Sequence, residues 1–127
     1  MKRFLLLFFF VVPFFAMANT LYFPYNPSLS PDGKTIYFSY DGDIFKVSAD
    51  GGLAMRFVSL GAVETMPKVS PDGKWIAFAS NIQGNNDVYV VPAEGGDVRR
   101  LTWSDSNDAP SGWSADSKSI FFETNRA

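Results

Sequence analysis

The side chains with chemical potential in this sequence are carboxylates and aromatics, because it contains neither histidine nor cysteine. Without histidine, a Ser-His-Asp arrangement lacks its general base and a metal lacks its commonest ligand. Without cysteine there is no thiol nucleophile, no disulfide, and a zinc site would have to be built from carboxylates alone. No Gly-x-Ser-x-Gly elbow or glycine-rich phosphate loop occurs. The expectation is therefore no catalytic residue, no cofactor and no metal within these 127 residues. Asp32, Asp72 and Asp116 occupy one position of a recurring turn, where aspartate ordinarily hydrogen-bonds the turn backbone. Glu64, Asp105 and Asp108 are expected in loops leading into the next structural unit. There they would be solvated, or would face a ligand at a channel mouth, although no calcium-loop spacing accompanies them. The stretch 81–87 carries one carboxylate, Asp87, and reads as a polar hairpin.

Tyr40, Trp103 and Trp113 fall at strand ends or in connecting loops. Exposed aromatics in such places often anchor a partner, so Tyr40, Glu64, Trp103, Asp105 and Asp108 form a candidate partner-binding rim. The ordinary role of these aromatics is packing between units, in which case Trp103→Ala lowers stability more than affinity. Phe38, Phe45, Phe78, Tyr89 and Phe122 recur at equivalent places and are expected in the core.

The elements that must position these residues come from an internal repeat. Ser30-Pro31-Asp32-Gly33-Lys34 returns 40 residues later as Ser70-Pro71-Asp72-Gly73-Lys74, and 44 residues after that as Ser114-Ala115-Asp116-Ser117-Lys118. Each copy is followed by Ile-x-Phe: Ile36 and Phe38, Ile76 and Phe78, Ile120 and Phe122. Asp43-Ile44-Phe45-Lys46-Val47 matches Asp87-Val88-Tyr89-Val90-Val91, and a Gly-Gly pair follows each. Pro-Asp-Gly presets a tight turn, and Asp41-Gly42 reads as a two-residue hairpin. Alternation along 34–40 is that of a half-buried strand. Strands are expected near 26–30, 34–40, 43–48, 53–59, 67–70, 74–80, 87–92, 97–102, 111–114 and 118–124.

Four short strands recurring every 40 to 44 residues mark an all-β chain of β-propeller blades, each a four-stranded antiparallel meander. One blade cannot offset the entropy of ordering its own backbone, so blade faces must stack. There are about 2.5 repeats, near 26–59, 67–102 and a truncated 110–127, against the four to eight blades of a closed propeller. The expectation is an incomplete ring, a slice of a larger protein. Residues 19–127 make up this repeat region.

Residues 1–18 differ in character. Lys2 and Arg3 precede an apolar run from Phe4 to Phe15 and the small-x-small site Ala16-Met17-Ala18. These are the parts of a signal peptide, too short and too interrupted by Pro13 for a spanning helix. A periplasmic or secreted location follows, with no membrane span after cleavage. Without this segment nine basic side chains face 13 acidic ones. That balance disfavours nucleic acid and anionic lipid surfaces as partners, and leaves protein or peptide.

Ser-Pro-Asp-Gly-Lys, Ile-x-Phe, Asp-Val-Tyr-Val, Gly-Gly and Arg99-Arg100-Leu101-Thr102 together resemble the WD40-like (PD40) propeller repeat of TolB. They also resemble the N-terminal propellers of secreted tricorn-like serine peptidases, and the propellers of prolyl-oligopeptidase relatives. The resemblance covers residues 24–126, most closely 67–108. It implies a non-catalytic propeller segment of an exported protein that gates or docks peptide substrates for a serine peptidase domain. The alternative it implies is a stand-alone periplasmic protein–protein interaction module. Further blades or a peptidase domain would be the natural partners. The third turn departs from the pattern by losing its proline and glycine, and no catalytic residue of a peptidase has a counterpart here.

Overall fold

The computed structural model describes residues 23–127. The signal peptide read at 1–18 lies outside them.

The recurring turn is a small hydrogen-bonded cage. Ser30 Oγ donates to Asp32 Oδ1 (2.6 Å), the same oxygen accepts the Lys34 N–H (3.0 Å), and Ser30 Oγ accepts the Thr35 N–H (2.9 Å). Ser70 and Asp72 repeat these bonds at 2.6, 3.0 and 3.0 Å, and Ser114 and Asp116 repeat them at 2.7, 3.1 and 2.9 Å. These three aspartates are thus occupied within their own turns. The serine hydroxyl foremost, then the backbone N–H, holds each carboxyl below the usual aspartate range. Gly33 and Gly73 supply the left-handed backbone the turn requires, with φ of 72° and 73°. In the third copy Ser117 adopts φ 61° without glycine's freedom.

Each cage launches a strand. β1 (Tyr25–Leu29), β2 (Thr35–Tyr40), β3 (Asp43–Ser48) and β4 (Met55–Val58) form the first sheet in the order β1-β2-β3-β4. β5 (Glu64–Val69), β6 (Trp75–Ser80), β7 (Asp87–Pro92) and β8 (Arg99–Arg100) form the second in the same order. β9 (Asp108–Trp113) and β10 (Ile120–Thr124) form an antiparallel pair. Every neighbouring pair is antiparallel, and no helix occurs among the described residues. These are meander blades of a propeller whose ring is not closed.

Two departures from the expected strands matter. β5 and β9 begin at Glu64 and Asp108, three residues earlier than expected. Their first N–H groups donate across to the preceding blade, Glu64 to the Gly42 carbonyl and Asp108 to the Asn86 carbonyl, both at 2.8 Å. Pro67 does not start its strand but sits in a bulge between Thr65 and Lys68, beside left-handed Met66, where a missing N–H breaks no ladder bond. The fourth strand of the second blade is only Arg99–Arg100, shorter than the expected 97–102.

The core lies between the first two blades. Tyr37 and Ile44 on one face of the first blade pack against Ile76, Phe78, Tyr89 and Val91 on the facing side of the second. Phe78 stacks on Tyr89 within its sheet at 5.8 Å, as Phe38 does on Phe45 at 6.0 Å. Each fully buried Ile or Phe contributes about 1.5–3 kcal/mol. Phe122, expected in the core, is instead 40% exposed, because the outer side of β10 has no neighbouring strand among the described residues.

Candidate functional site

Tyr40, Glu64, Asp105, Asp108 and Trp103 lie toward the end of the blades where β1-type strands begin, second strands end and third strands start, whereas Asp32, Asp72 and Asp116 sit in the turns at the opposite end. At the first of these ends two successive blade junctions share their backbone and asparagine bonds but differ in the partners of their buried acids.

At the first junction Glu64 is fully buried at the start of β5. Its Oε2 accepts the Leu60 N–H (3.1 Å) and its Oε1 accepts the Ser80 hydroxyl (3.1 Å). Burial pushes the Glu64 carboxyl above the usual glutamate range. Those two hydrogen bonds oppose the shift, and the facing Asp43 carboxylate adds to it. Asp43 itself is held by Arg56, whose Nε lies 2.8 Å from Oδ2. At the second junction the equivalent Asp108 is also fully buried, and Arg126 Nη2 reaches its Oδ2 at 2.7 Å. Burial again raises the carboxyl, but the polar groups of Thr124, Arg126 and Thr102 gathered round it outweigh that and hold Asp108 below the usual range. Asp87, equivalent to Asp43, takes Arg100 Nη2 at 2.6 Å and the Thr102 hydroxyl at 3.3 Å. Thr102 Oγ1 in turn accepts the Val88 N–H, and Arg100 Nε donates to the Thr102 carbonyl.

Hairpin asparagines complete both junctions. Asn81 Oδ1 accepts the Val63 N–H (2.9 Å) and Asn125 Oδ1 accepts the Asn107 N–H (2.7 Å), so each blade's second-strand end clasps the residue that opens its first strand. Asn85 donates to the Ser104 and Ser106 carbonyls and shapes the loop between blades two and three.

The candidate rim is therefore divided. Glu64 and Asp108 are not loop carboxylates: the cross-blade backbone bonds extend β5 and β9 to include them and turn their side chains inward. Tyr40 is half-buried with its ring edge-on to Phe45 at 5.6 Å. Trp103, expected to pack between blades, is 68% exposed, and Asp105 beside it is exposed too. Trp113 does pack, with Nε1 donating to the Lys68 carbonyl of the neighbouring inner strand at 2.9 Å. Sequence reasoning missed Arg56, Arg100 and Arg126 as partners of these acids. The signal was present, since Asp43 and Arg56 recur together as Asp87 and Arg100, 44 residues on.

Chemically this end is a set of acid–arginine and acid–hydroxyl pairs, in which Asp108 Oδ1 is left buried without a hydrogen-bond partner. Among the described residues no group of three His, Cys, Asp or Glu side chains is placed to hold a metal ion, and no helix is long and apolar enough to cross a membrane. The solvent-facing chemistry here is the Trp103 ring and the Asp105 carboxylate.

Comparison with known proteins agrees with this geometry. Residues 22–127 match the family described as the tricorn protease N-terminal beta propeller domain. A tricorn protease homolog 1 of Streptomyces coelicolor is 34% identical over 95 residues, which is 74% of this chain and 9% of the relative. A structure assigned to TolB from Agrobacterium tumefaciens superposes with TM-score 0.75 at 28% identity, over 84% of this chain and 40% of that one. The crystal structure of the tricorn protease superposes with TM-score 0.64 at 21% identity, over 80% of this chain and 11% of that one, which is a likeness of fold. The chain thus spans less than half the length of the proteins it matches.

Proposed function

The chain belongs to the tricorn protease N-terminal β-propeller domain family, and from that membership we propose that it is the non-catalytic, peptide-docking or substrate-gating part of an exported serine-type peptidase. The propeller supplies rigid blades, and its solvent-facing end presents Trp103 and Asp105 on the loop between blades two and three. The single observation that carries the docking role is a large aromatic left 68% exposed in that loop, set beside buried carboxylates held by partly exposed arginines. Export is supported by the basic–apolar–small pattern of residues 1–18. Nucleic acid is disfavoured as a partner by the acidic balance of the remaining residues.

Fluorescence anisotropy of labelled unstructured peptides with the 127-residue chain tests this. Binding weakened at least fivefold by Trp103→Ala with an unchanged melting temperature is expected. Equal binding by the variant would overturn the docking role. N-terminal sequencing of exported protein beginning at Asn19 tests the signal.

The likeness to a TolB structure at TM-score 0.75 favours a second reading, a periplasmic module that binds a partner protein. The open reading frame downstream of codon 127 separates the two. A peptidase domain in frame supports the first reading, and its absence there supports the second.

A further inference from the structure

The loop that leads from the second blade into the third departs from the repeat in ways that converge on two side chains. Residues 59–64 and 103–108 occupy the same place at successive junctions, 44 residues apart. Both alternate exposed and half-buried side chains before a buried acid, Glu64 in one and Asp108 in the other. The first of these junctions lies between two four-stranded blades, so the outward positions belong to the joint itself. Ser59 and Gly61 fill them there, whereas Trp103 and Asp105 fill them at the second junction.

Polar bonds replace apolar packing beneath this pair. At the first junction Leu60 packs on the core. Its equivalent is Ser104, whose Oγ accepts the Ser106 N–H (3.1 Å), while Asn85 Nδ2 donates to the Ser104 and Ser106 carbonyls (2.9 and 2.6 Å). Asn85 comes from the longer hairpin, which has no counterpart of it at Asp41-Gly42. That hairpin clamps the loop by its inward side and leaves Trp103 and Asp105 toward solvent.

Elsewhere the chain sets its own cations over rings of the blades. Lys46 Nζ lies 5.0 Å from the Phe57 ring centre, Arg56 Cζ 5.6 Å from that of Phe45, and Arg99 Cζ 6.0 Å from that of Trp75. Among the described residues Trp103 carries no such cation and Asp105 is in no ion pair. Arg126 borders the same hollow as Trp103, but it is bonded to Asp108 at 2.7 Å and to Ser104 at 3.1 Å. An indole face and a carboxylate two residues apart, on a chain of net charge −2, make a two-point receptor for a guanidinium. A guanidinium can stack on the ring and donate to the carboxylate at once.

We propose that Trp103 and Asp105 together bind an arginine side chain of a docked peptide, so that the propeller selects basic segments. This rests on the peptide-docking reading and adds to it the class of residue that is taken.

The test is fluorescence anisotropy with the full 127-residue chain and three labelled peptides, Gly-Ser-Leu-X-Leu-Ser-Gly, in which X is arginine, its neutral isostere citrulline, or glutamate. The arginine peptide should bind about fivefold tighter than the citrulline peptide, with the gap narrowing as salt rises. Asp105→Asn should remove most of that preference and leave the citrulline affinity unchanged, and Asp105→Lys should reverse it in favour of glutamate. Trp103→Ala should cost the arginine peptide more than the citrulline one. All three substitutions lie at exposed positions, and melting temperature verifies that the fold is kept. Equal binding of the arginine and citrulline peptides, or an arginine preference untouched by Asp105→Asn, would overturn the proposal. If Trp103→Ala weakens all three peptides alike, the docking role stands and the arginine assignment falls. If no peptide binds, both fall.

Discussion

At the scale of residues, the stability of this end of the propeller turns on which buried acids have a cation. Asp87 is fully buried against Arg100, so Asp87→Ala strands a half-buried guanidinium and also frees the Thr102 hydroxyl. Breaking a buried pair costs about 3–5 kcal/mol, and the part-exposed Arg100 puts this loss at the lower end of that range, readable as a lower urea midpoint at unchanged slope. Glu64 behaves oppositely, since its carboxyl is raised by burial and faces Asp43. The folded state holds that proton more tightly than the unfolded chain does. Its contribution is complete below the unfolded pKa and is lost as pH climbs through the folded one. Glu64→Gln should therefore match the parent in acid and melt higher than it at neutral pH. Asp108, held below the usual range, contributes above its unfolded pKa and loses that contribution as pH falls through the folded one. Asp108→Asn should accordingly lower the melting temperature at pH 7 and converge with the parent in acid.

At the scale of elements, the turn cage explains why Ser-Pro-Asp-Gly-Lys recurs. Serine bonds both the aspartate and the strand's first N–H, and glycine takes the left-handed position. Gly73→Ala finds ordinary contact space beside Pro31 but keeps φ 73°. It should cost about 1 kcal/mol from backbone strain alone, read by thermal melting. Ser117 already bears that strain, and its Oγ accepts the Asp72 N–H of the neighbouring blade at 3.0 Å. Trp103, exposed as it is, should be replaceable by alanine within about 0.5 kcal/mol. The strands were legible from alternation and turn residues, because those signals are local. The inward turn of Glu64 and Asp108 was not. It depends on carbonyls of Gly42 and Asn86, more than twenty residues back in sequence, that recruit the strand openings. Proline at 67 looked like a strand start, yet it sits inside a bulge whose cost in ladder bonds is nil.

At the scale of the whole molecule, the blades hold together through faces and a few cross-blade bonds, of which Trp113 Nε1 to the Lys68 carbonyl is one. Trp113→Phe removes it while leaving a ring to pack. Amide hydrogen exchange should then quicken across β9 and β10 and stay unchanged across β2 and β3. Uniform acceleration would mean the three blades open as one unit. The propeller class was readable from the 40 and 44 residue spacing. The pairing of acids with arginines inside each blade was present in the repeat but unread, and the approach of Glu64 to Asp43 was not legible, because those two lie on different blades and only stacking brings them together. The four-residue difference between those two spacings resides in one hairpin, the tip between Ser80 and Asp87. Asn81, Asn85 and Asn86 anchor that hairpin's shoulders, and Gly84 at its crown has open space around it. Foreign sequence, such as an epitope or a small reporter, can thus be grafted at residues 82–84 as onto a ready-made splice point, without disturbing either stacked face.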